Sequence, residues 1–310
     1  MSWSMRPSTR SNVPTKTPEM PSPQAVFVGL TTLDVIQRVT SEPRWGRKGV
    51  SESSELVAGG PAANAAVTFA ALIGSATLVT AVGVGGAADA ARQDLQQHGV
   101  HVIDCAPAGW DLPIATCIIA VDGERTVISP GATTSEARLN PRAREAVTRA
   151  EAILIDGHHP LLAREALSLA RGLKVLDAGS AKTHVEPWLG EFDVVVCSAD
   201  YAPQPQKHGV SVTRHVLAAG AGAVVVTHGS GPVQWRRQGA REYSLDPPQV
   251  ETKDTLGAGD AFHGAFIAGL LQEPPGLESL ARAVKLATAI ASLRCSVVGA
   301  RSWLEQLPRT

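Results

Sequence analysis

Short apolar runs alternate with longer stretches of helical periodicity from residue 24 onward. Runs of about four to eight apolar residues that end at a turn predict strands at 25–30, 76–82, 100–104, 152–156, 174–177, 193–197 and 223–227. Apolar and small residues at helical spacing predict helices at 61–73, 87–98, 135–150, 160–172, 212–219, 257–271 and 277–293. This alternation predicts an α/β fold in which helices cover both faces of a mostly parallel sheet.

Two segments depart from the alternation. Residues 31–58 and 110–130 carry strand patterns without intervening helices, and Asp122-Gly123 in the second segment is typical of a hairpin turn. We therefore expect both segments to form a small β-sheet outside the main one. A further hairpin is predicted over 233–236 and 241–244.

The first 22 residues are rich in Ser, Thr and Pro and show no apolar period. Such a segment buries too little apolar surface to offset the entropy of ordering, so we predict a disordered tail over 1–22. No composition break follows, and residues 23–310 are predicted to form a single domain.

Composition and charge exclude several classes of partner and indicate the compartment. The 28 basic and 29 acidic residues give a net charge of -1, which argues against a nucleic-acid partner. No apolar run is long enough for a transmembrane helix, so no membrane association is expected. The four cysteines lie far apart, form no CxxC pair and are interpreted as buried free thiols. This pattern fits a reducing cytosol, and we expect a cytoplasmic protein.

The most informative motif is Asp-Thr-Leu-Gly-Ala-Gly-Asp at 254–260, at the start of a predicted helix. Unhindered backbone N–H groups at the positive end of a helix form a ready anion site. A carboxylate at Asp260 would repel phosphate, but it suits a base that takes the proton of a substrate hydroxyl beside the phosphate. The alternative is a Gly-rich helix start with Asp260 as a first-turn acid favoured by the helix dipole.

Two weaker features lie near the amino terminus. Gly-Gly-Pro-Ala-Ala-Asn at 59–64 allows close backbone approach, and Asn64 carries both a donor and an acceptor for a polyol. Asp34 follows the first predicted strand and suits a hydroxyl-binding carboxylate. The alternatives are an ordinary strand-to-helix turn with Asn64 as a local cap, and a solvated loop acid.

The segment from Thr227 to Gly231 ends another strand with hydroxyl and glycine residues. It suits nucleotide contacts or a plain β-turn. Rival motifs are absent or incomplete, since the chain has no P-loop and the glycines at 82–86 lack the spacing of a dinucleotide fingerprint. Adjacent His158 and His159 side chains diverge and do not indicate a metal site.

Together, these motifs closely resemble the PfkB (ribokinase-like) carbohydrate kinase family over 24–305. The motif at 254–262 resembles its carboxyl-terminal signature, and that at 59–64 resembles its amino-terminal one. The resemblance implies a three-layer α/β/α sandwich with a lid built from 31–58 and 110–130. It also implies transfer of the γ-phosphoryl group of ATP to a sugar hydroxyl with Mg²⁺, and a homodimer formed through the lid.

The resemblance assigns roles to individual residues. Asp260 matches the catalytic base, and Gly257, Ala258 and Gly259 match the anion hole. The sugar ligands implied are Asp34, Gly60 and Asn64, with Arg125 and Lys48 as further candidates. The nucleotide contacts implied are Ser198, Thr227, Gly229, Gly231, Gly257 and Gly259. A monovalent cation such as K⁺ would fall at Asp254 and the loop 296–299.

One stretch departs from the family pattern. An Asn-x-x-Glu motif that serves Mg²⁺ is replaced by Cys-Ser-Ala-Asp at 197–200, and a thiol is a poor substitute for an amide in a magnesium network. The metal ligands therefore stay undefined at this point.

The substrate is assigned by finer resemblances. The Gly-Glu-Arg-Thr hairpin at 123–126 and the segments 262–265 and 299–301 resemble the ketohexokinase and sulfofructose kinase branch. We therefore expect phosphorylation of a primary hydroxyl of a fructose-like ketose. The alternatives are a nucleoside kinase, for which Trp45 is the candidate stacking residue, and a non-catalytic sugar- or nucleotide-binding regulator. The alternative for Arg44, Arg47 and Lys48 is a solvated loop patch.

Overall fold

The computed structural model describes residues 25–130, 136–180, 182–199, 201, 211–272 and 276–307. The predicted tail over 1–22 lies outside the described residues. The division into that tail and one domain over 23–310 stays a prediction.

Thirteen strands are present in the described part of the chain. In chain order they are β1 (Ala25–Val28), β2 (Thr32–Val39), β3 (Ser51–Gly59), β4 (Ala76–Thr80), β5 (Val100–Asp104), β6 (Ile114–Ile119), β7 (Arg125–Ile128), β8 (Ala152–Ile155), β9 (Leu173–Ala178), β10 (Val194–Ser198), β11 (Ala223–His228), β12 (Gly231–Arg237) and β13 (Glu242–Leu245).

Nine of these strands form the main sheet, in the order β13-β12-β11-β10-β9-β8-β1-β4-β5. All neighbouring strands from β11 to β5 pair in parallel, whereas β12 is antiparallel to both of its neighbours. Residues of the central strands are almost fully buried, which explains why the sequence shows them as continuous apolar runs.

Seven α-helices flank this sheet within the described residues. They are α1 (Pro61–Ile73), α2 (Gly86–Gln97), α3 (Pro141–Arg149), α4 (Pro160–Leu169), α5 (Val212–Ala218), α6 (Ala258–Leu271) and α7 (Leu277–Cys295), and short 3₁₀ helices span Glu186–Glu191 and Ser302–Gln306. None of the described helices has the length and apolar character needed to cross a bilayer.

Two hydrophobic clusters fill the space between the sheet and the helices. On one face, Phe27 packs with residues of α1, α2, α6 and α7. On the other face, the neighbouring residues Val26 and Val28 pack with α3, α4 and α5. Alternate residues of one strand thus serve opposite layers, and the predicted three-layer α/β/α fold is confirmed.

A second sheet of four strands has the order β3-β2-β6-β7. Its strands β2 and β6 are parallel, and the outer pairs are antiparallel. Ile36, Cys117 and Ile119 on its inner face form a small cluster with Ala300. The small sheet predicted outside the main one is therefore present, and we call it the lid sheet.

The structure corrects the helix predicted over 135–150. Residues 131–135 lie outside the described residues, and the observed helix begins at Pro141. The Asn140 side chain accepts a 2.9 Å hydrogen bond from the Ala143 amide and caps the helix, while Pro141 suits the first helical position because it needs no backbone acceptor. The 3₁₀ helix over Glu186–Glu191 was not predicted either.

Candidate functional site

The carboxyl ends of four parallel strands meet at one edge of the main sheet. They bring together Asp156, Asp177, Ser198 and Thr227. Ser198 and Thr227 lie directly opposite each other on β10 and β11. In open α/β sheets this edge is where ligands bind.

The Gly-rich turn opens α6 beside this edge. Gly257 adopts φ 72°, a left-handed conformation that favours glycine, and is the residue that precedes the helix. The Ala258 amide donates a 3.3 Å hydrogen bond to the Thr255 carbonyl, and the first N–H groups of a helix have no acceptor within the helix itself. A Cβ added to Gly259 would meet no group from the rest of the described structure within 4 Å. The turn therefore presents amide donors and the positive end of the helix dipole to an anion.

Asp260 lies in the first turn of α6, next to these donors. Its Oδ2 accepts a 2.8 Å hydrogen bond from Nδ2 of Asn64. Burial raises the pKa of Asp260 to about 6, the negative charge of Asp177 adds to the rise, and the hydrogen bond from Asn64 opposes it. A carboxylate with this pKa is a stronger base than an ordinary Asp and is largely ionised at neutral pH.

Asn64 connects Asp260 to an arginine near the carboxyl terminus. Its Oδ1 accepts a 3.0 Å hydrogen bond from Arg301 Nη1. The other terminal nitrogen of Arg301 donates to the Ala58 carbonyl at 2.6 Å and to Oδ2 of Asp94 at 3.0 Å. Asn64 is therefore a link in a fixed chain of hydrogen bonds, and the alternative of a local helix cap is wrong because Gly60 occupies that position.

The paired glycines before α1 allow two close approaches. A Cβ added to Gly59 would lie 2.1 Å from the carboxylate of Asp34, and one added to Gly60 would lie 2.3 Å from the Leu30 carbonyl oxygen. Gly60 also adopts φ 97°, which other residues rarely do. The glycines thus let the lid strand β2 bring Asp34 against the start of α1.

Asp34 itself is buried and accepts a 2.5 Å hydrogen bond from Thr32 Oγ1. Burial raises its pKa, and this effect exceeds the opposing ones of the Thr32 hydrogen bond and the Arg301 charge. A cleft adjoins these groups. Its lining includes Asp34, Ile36, Asn64, Gly257, Arg301 and Trp303.

Two sequence-predicted sugar ligands lie elsewhere. Arg125 is exposed on β7, and its Nη1 donates a 2.6 Å hydrogen bond to Thr255 Oγ1, so it contacts the Gly-rich turn without lining the cleft. Lys48 is exposed on the loop between β2 and β3. In the ranges that the structure describes, no contact brings Lys48 to the cleft.

The predicted nucleotide residues lie together at the ends of β10 and β11 and the start of β12. The Ala199 amide donates to the Thr227 carbonyl at 2.8 Å, and Thr227 Oγ1 donates to the Cys197 carbonyl at 3.4 Å. Gly229 (φ 60°) and Gly231 flank the tight turn between β11 and β12, and open space surrounds Gly229. The structure thus brings Ser198, Thr227, Gly229 and Gly231 to one surface.

Cys197 cannot serve as a metal ligand in its present state. The side chain is 1% exposed, and burial raises the pKa of its thiol far above neutrality. Asp200, the other residue at the Asn-x-x-Glu positions, lies outside the described residues. Among the residues that are described, no group of three His, Cys, Asp or Glu side chains is arranged to hold a metal ion.

The expected monovalent-cation site does not fit the residues present. The carboxylate of Asp254 is fully buried and pairs with two guanidinium groups, that of Arg38 at 2.5 Å and that of Arg294 at 3.1 Å. A cation bound to this carboxylate would therefore face two positive charges.

Sequence reasoning missed three residues of the site. Asp177 was noted only as a strand end, and its effect on Asp260 depends on the distance between β9 and α6. Arg301 was noted only within a resemblance, and Arg38 was not singled out. Of the three, only Asp177 carried a signal in the sequence, because it ends a predicted parallel strand and ligands bind at such strand ends.

Comparisons with known proteins agree with this geometry. The model of the pfkB family carbohydrate kinase matches residues 22–307. A ribokinase of Lactococcus lactis is 24% identical over an alignment of 294 residues that covers 90% of this chain and 93% of that protein. A ribokinase structure from Giardia lamblia (17% identical, TM-score 0.78) covers 93% of this chain and 96% of its own. A structure of Arabidopsis thaliana ribokinase with ribose and ATP (20% identical, TM-score 0.71) covers 93% and 100%.

Proposed function

The chain belongs to the pfkB family of carbohydrate kinases, which are phosphotransferases acting on a sugar hydroxyl, and from this premise we propose that it transfers the γ-phosphoryl group of ATP to the primary hydroxyl of ribose or a similar pentose. The observation that carries the proposal is the position of Asp260. It lies in the first turn of α6, beside an anion-binding turn and in contact with Asn64 of the sugar-side cleft.

Asp260 acts as the base in this proposal. Its carboxylate takes the proton of the primary hydroxyl as the hydroxyl oxygen attacks the γ-phosphorus. The bond from the γ-phosphorus to the bridging oxygen of ATP breaks, and ADP leaves. A pKa of about 6 keeps the carboxylate ionised at neutral pH and gives it more affinity for the proton than an ordinary Asp has.

The turn before α6 stabilises the charge of the transferring group. The amides of Gly257, Ala258 and Gly259 lie at the positive end of α6, where negative charge is favoured. These donors are fixed before the substrate binds, so little reorganisation is needed during the reaction. A base at Asp260 and an anion-binding turn beside it suit phosphoryl transfer, in which positioning and electrostatic stabilisation dominate.

The two substrates are assigned to opposite sides of Asp260. ATP is placed along Ser198, Thr227, Gly229 and Gly231 at the ends of β10 and β11. The sugar is placed in the cleft at Asp34, Gly60 and Asn64. Mg²⁺ supplies charge neutralisation of the phosphates when bound, and it commonly keeps several waters and few protein ligands, so a dedicated cage is not required.

Ribose is preferred because the relatives from Lactococcus lactis and Arabidopsis thaliana are ribokinases. A fructose-like ketose is the second candidate. It is supported by the hairpin residue Arg125, which reaches the Gly-rich turn through Thr255. The ketohexokinase and sulfofructose kinase branch therefore stays a proposal about substrate, secondary to ribose.

A homodimer through the lid sheet is also proposed. The outer face of that sheet exposes Leu56, Ile114 and Ile128 at 62%, 49% and 62%. Exposed apolar side chains gathered on one face are typical of an interaction surface, and a second copy of the chain is the partner that the resemblance implies. The cytoplasmic location stays a prediction from the cysteine pattern.

The decisive experiment measures ADP release from MgATP with ribose, fructose, sulfofructose and nucleosides. Turnover with ribose supports the first proposal, and turnover with a ketose alone supports the second. Turnover with a nucleoside alone would keep the kinase chemistry and reject both sugars. ATP binding without turnover on any of them would favour the regulator.

Asp260→Asn tests the base directly. It should keep the fold and lose turnover by a factor on the order of 10² to 10⁴, the usual contribution of a positioned base. The matched control is Asp246→Asn, at an exposed acid beyond β13, which should keep full activity. A well-folded Asp260→Asn protein with more than about a tenth of the wild-type rate would exclude Asp260 as the base.

A further inference from the structure

Asp254 anchors the start of the Gly-rich turn. Its Oδ1 accepts a 3.0 Å hydrogen bond from the Leu256 amide, which folds the chain toward Gly257. Its Oδ2 receives the guanidinium groups of Arg38 at 2.5 Å and Arg294 at 3.1 Å. The two arginines come from different parts of the fold, since Arg38 lies on β2 of the lid sheet and Arg294 lies near the end of α7.

Arg294 also uses the carbonyl oxygens around Asp254. Its Nη1 donates to the Asp254 carbonyl at 3.5 Å and to the Val297 carbonyl at 3.1 Å. A monovalent cation at Asp254 and the loop 296–299 would need such oxygens as ligands. They already accept hydrogen bonds from a guanidinium group that is almost fully buried, with 3% of its side chain exposed.

The charges of this cluster are balanced without an added ion. Arg38 Nε lies 3.8 Å from Oε1 of Glu55, and the other oxygen of Glu55 accepts a hydrogen bond from the Ala300 amide at 3.1 Å. Two carboxylates therefore face two guanidinium groups. A third positive charge in this poorly solvated place would be repelled by both arginines and would lack a free counter-ion.

On the premise of the proposed kinase function, we propose that Arg38 and Arg294 are positioning residues that hold the turn at 254–257 in the place of a monovalent cation, so that turnover does not require K⁺. They act through Asp254, which sets the path of the chain into the anion hole. Arg38 and the sugar-side residue Asp34 both lie on β2. One strand therefore carries a residue that lines the cleft and a residue that anchors the turn.

The first test compares wild-type turnover in KCl, NaCl and tetramethylammonium chloride at equal ionic strength, with saturating MgATP and the accepted sugar. Rates should agree within about threefold, because an ion that does not bind the native state cannot shift its behaviour by mass action. A larger stimulation by KCl would overturn the proposal.

The second test removes one arginine. Arg38→Met should lower kcat by about tenfold or more while the KM for the sugar changes less, because the loss of a charged hydrogen bond loosens the turn and not the cleft. Added guanidinium ion, at a concentration too low to denature, should restore part of kcat. Arg171→Met is the matched control at an exposed arginine. Its kcat should equal that of the wild type, with and without guanidinium.

Rescue separates positioning from a general loss of stability, since a merely destabilised protein would not gain kcat from guanidinium. A folded Arg38→Met protein with the wild-type kcat would overturn the proposal. If Arg38→Met does not fold, Arg38→Lys takes its place. The Lys variant keeps the charge but loses the planar guanidinium group, so its kcat should fall, and a folded Arg38→Lys protein with the wild-type kcat would overturn the proposal.

Thermal unfolding tests ion binding without a turnover assay, so it tests this inference separately from the proposed function. The unfolding temperature should be the same in KCl as in tetramethylammonium chloride, since a bound ion would stabilise the native state. A rise specific to KCl would overturn the inference even if no sugar were phosphorylated. Conversely, a K⁺-stimulated sugar kinase would overturn the inference and leave the proposed function intact.

Discussion

The side chain of Asn64 joins the two sides of the candidate site, because its Nδ2 donates a 2.8 Å hydrogen bond to Oδ2 of Asp260 while its Oδ1 accepts one of 3.0 Å from Arg301. Helix α1, which begins at the sugar-side glycines, is thereby tied to helix α6, which begins at the anion-binding turn. The pKa of Asp260 thus depends on Asn64, a residue from the amino-terminal motif.

Asn64→Ala should therefore impair the base as well as the sugar site. The hydrogen bond lowers the pKa of Asp260, so its loss raises that pKa above the present value of about 6. Because the base must be ionised, the rising limb of kcat/KM against pH should move to higher pH. A hydrogen bond to a charged group is worth about 1.5–3 kcal/mol, so we expect kcat/KM to fall by about 10- to 100-fold at pH 6.

The control for this change is Asn140→Ala. It removes the cap of α3, far from the site in the chain, and should cost about 1 kcal/mol of stability without moving the pH profile. An Asn64→Ala profile that overlaps with that of the wild type would show that the hydrogen bond does not act on the base.

Asp177→Asn should have the opposite effect on the same profile. The negative charge of Asp177 raises the pKa of Asp260, so its removal lowers that pKa and moves the rising limb to lower pH. The local turn should survive, because the Asn side-chain oxygen can still accept the 2.9 Å hydrogen bond from the Gly179 amide. Measuring kcat/KM between pH 4.5 and 8 tests the direction of the shift.

Asp193→Asn is the matched control for Asp177→Asn. Asp193 is exposed and lies at the opposite end of the sheet, immediately before β10. The profile of this variant should match that of the wild type. A shift to higher pH in Asp177→Asn would contradict the electrostatic coupling between Asp177 and Asp260.

The fold could be predicted because its signals are local. Apolar runs predicted the parallel strands of the main sheet, and Pro61 in a run of small residues predicted helix α1 with its observed bounds. The turn at 254–260 could also be placed, since Gly257 precedes a helix and needs a left-handed backbone. These features depend on neighbours in the chain, which a single sequence displays.

The polar contacts of the site could not be predicted in the same way. Arg301 and Asn64 are separated by 237 positions, and Arg38 and Asp254 by 216. Nothing in the local pattern around Arg38 distinguishes it from a solvated strand residue. Such pairs follow from the packing of the lid sheet and of the carboxyl-terminal segment, so the assignment of Asp254 to a cation site was open to correction by the structure.

Gly59→Ala tests how closely the lid sheet must approach α1. A methyl group at this position would lie 2.1 Å from all three carboxylate atoms of Asp34, so either the carboxylate turns away or the strand moves. We expect a loss of about 1–3 kcal/mol in stability from overpacking and a rise of about tenfold or more in the KM for the sugar, with a smaller change in kcat because Asp260 and the anion hole are untouched. Steady-state kinetics and thermal unfolding measure both effects. Gly86→Ala, at the open start of α2, is the control and should change neither the stability nor the KM for the sugar appreciably. An unchanged sugar KM in Gly59→Ala would show that Asp34 does not bind the sugar in the orientation seen here.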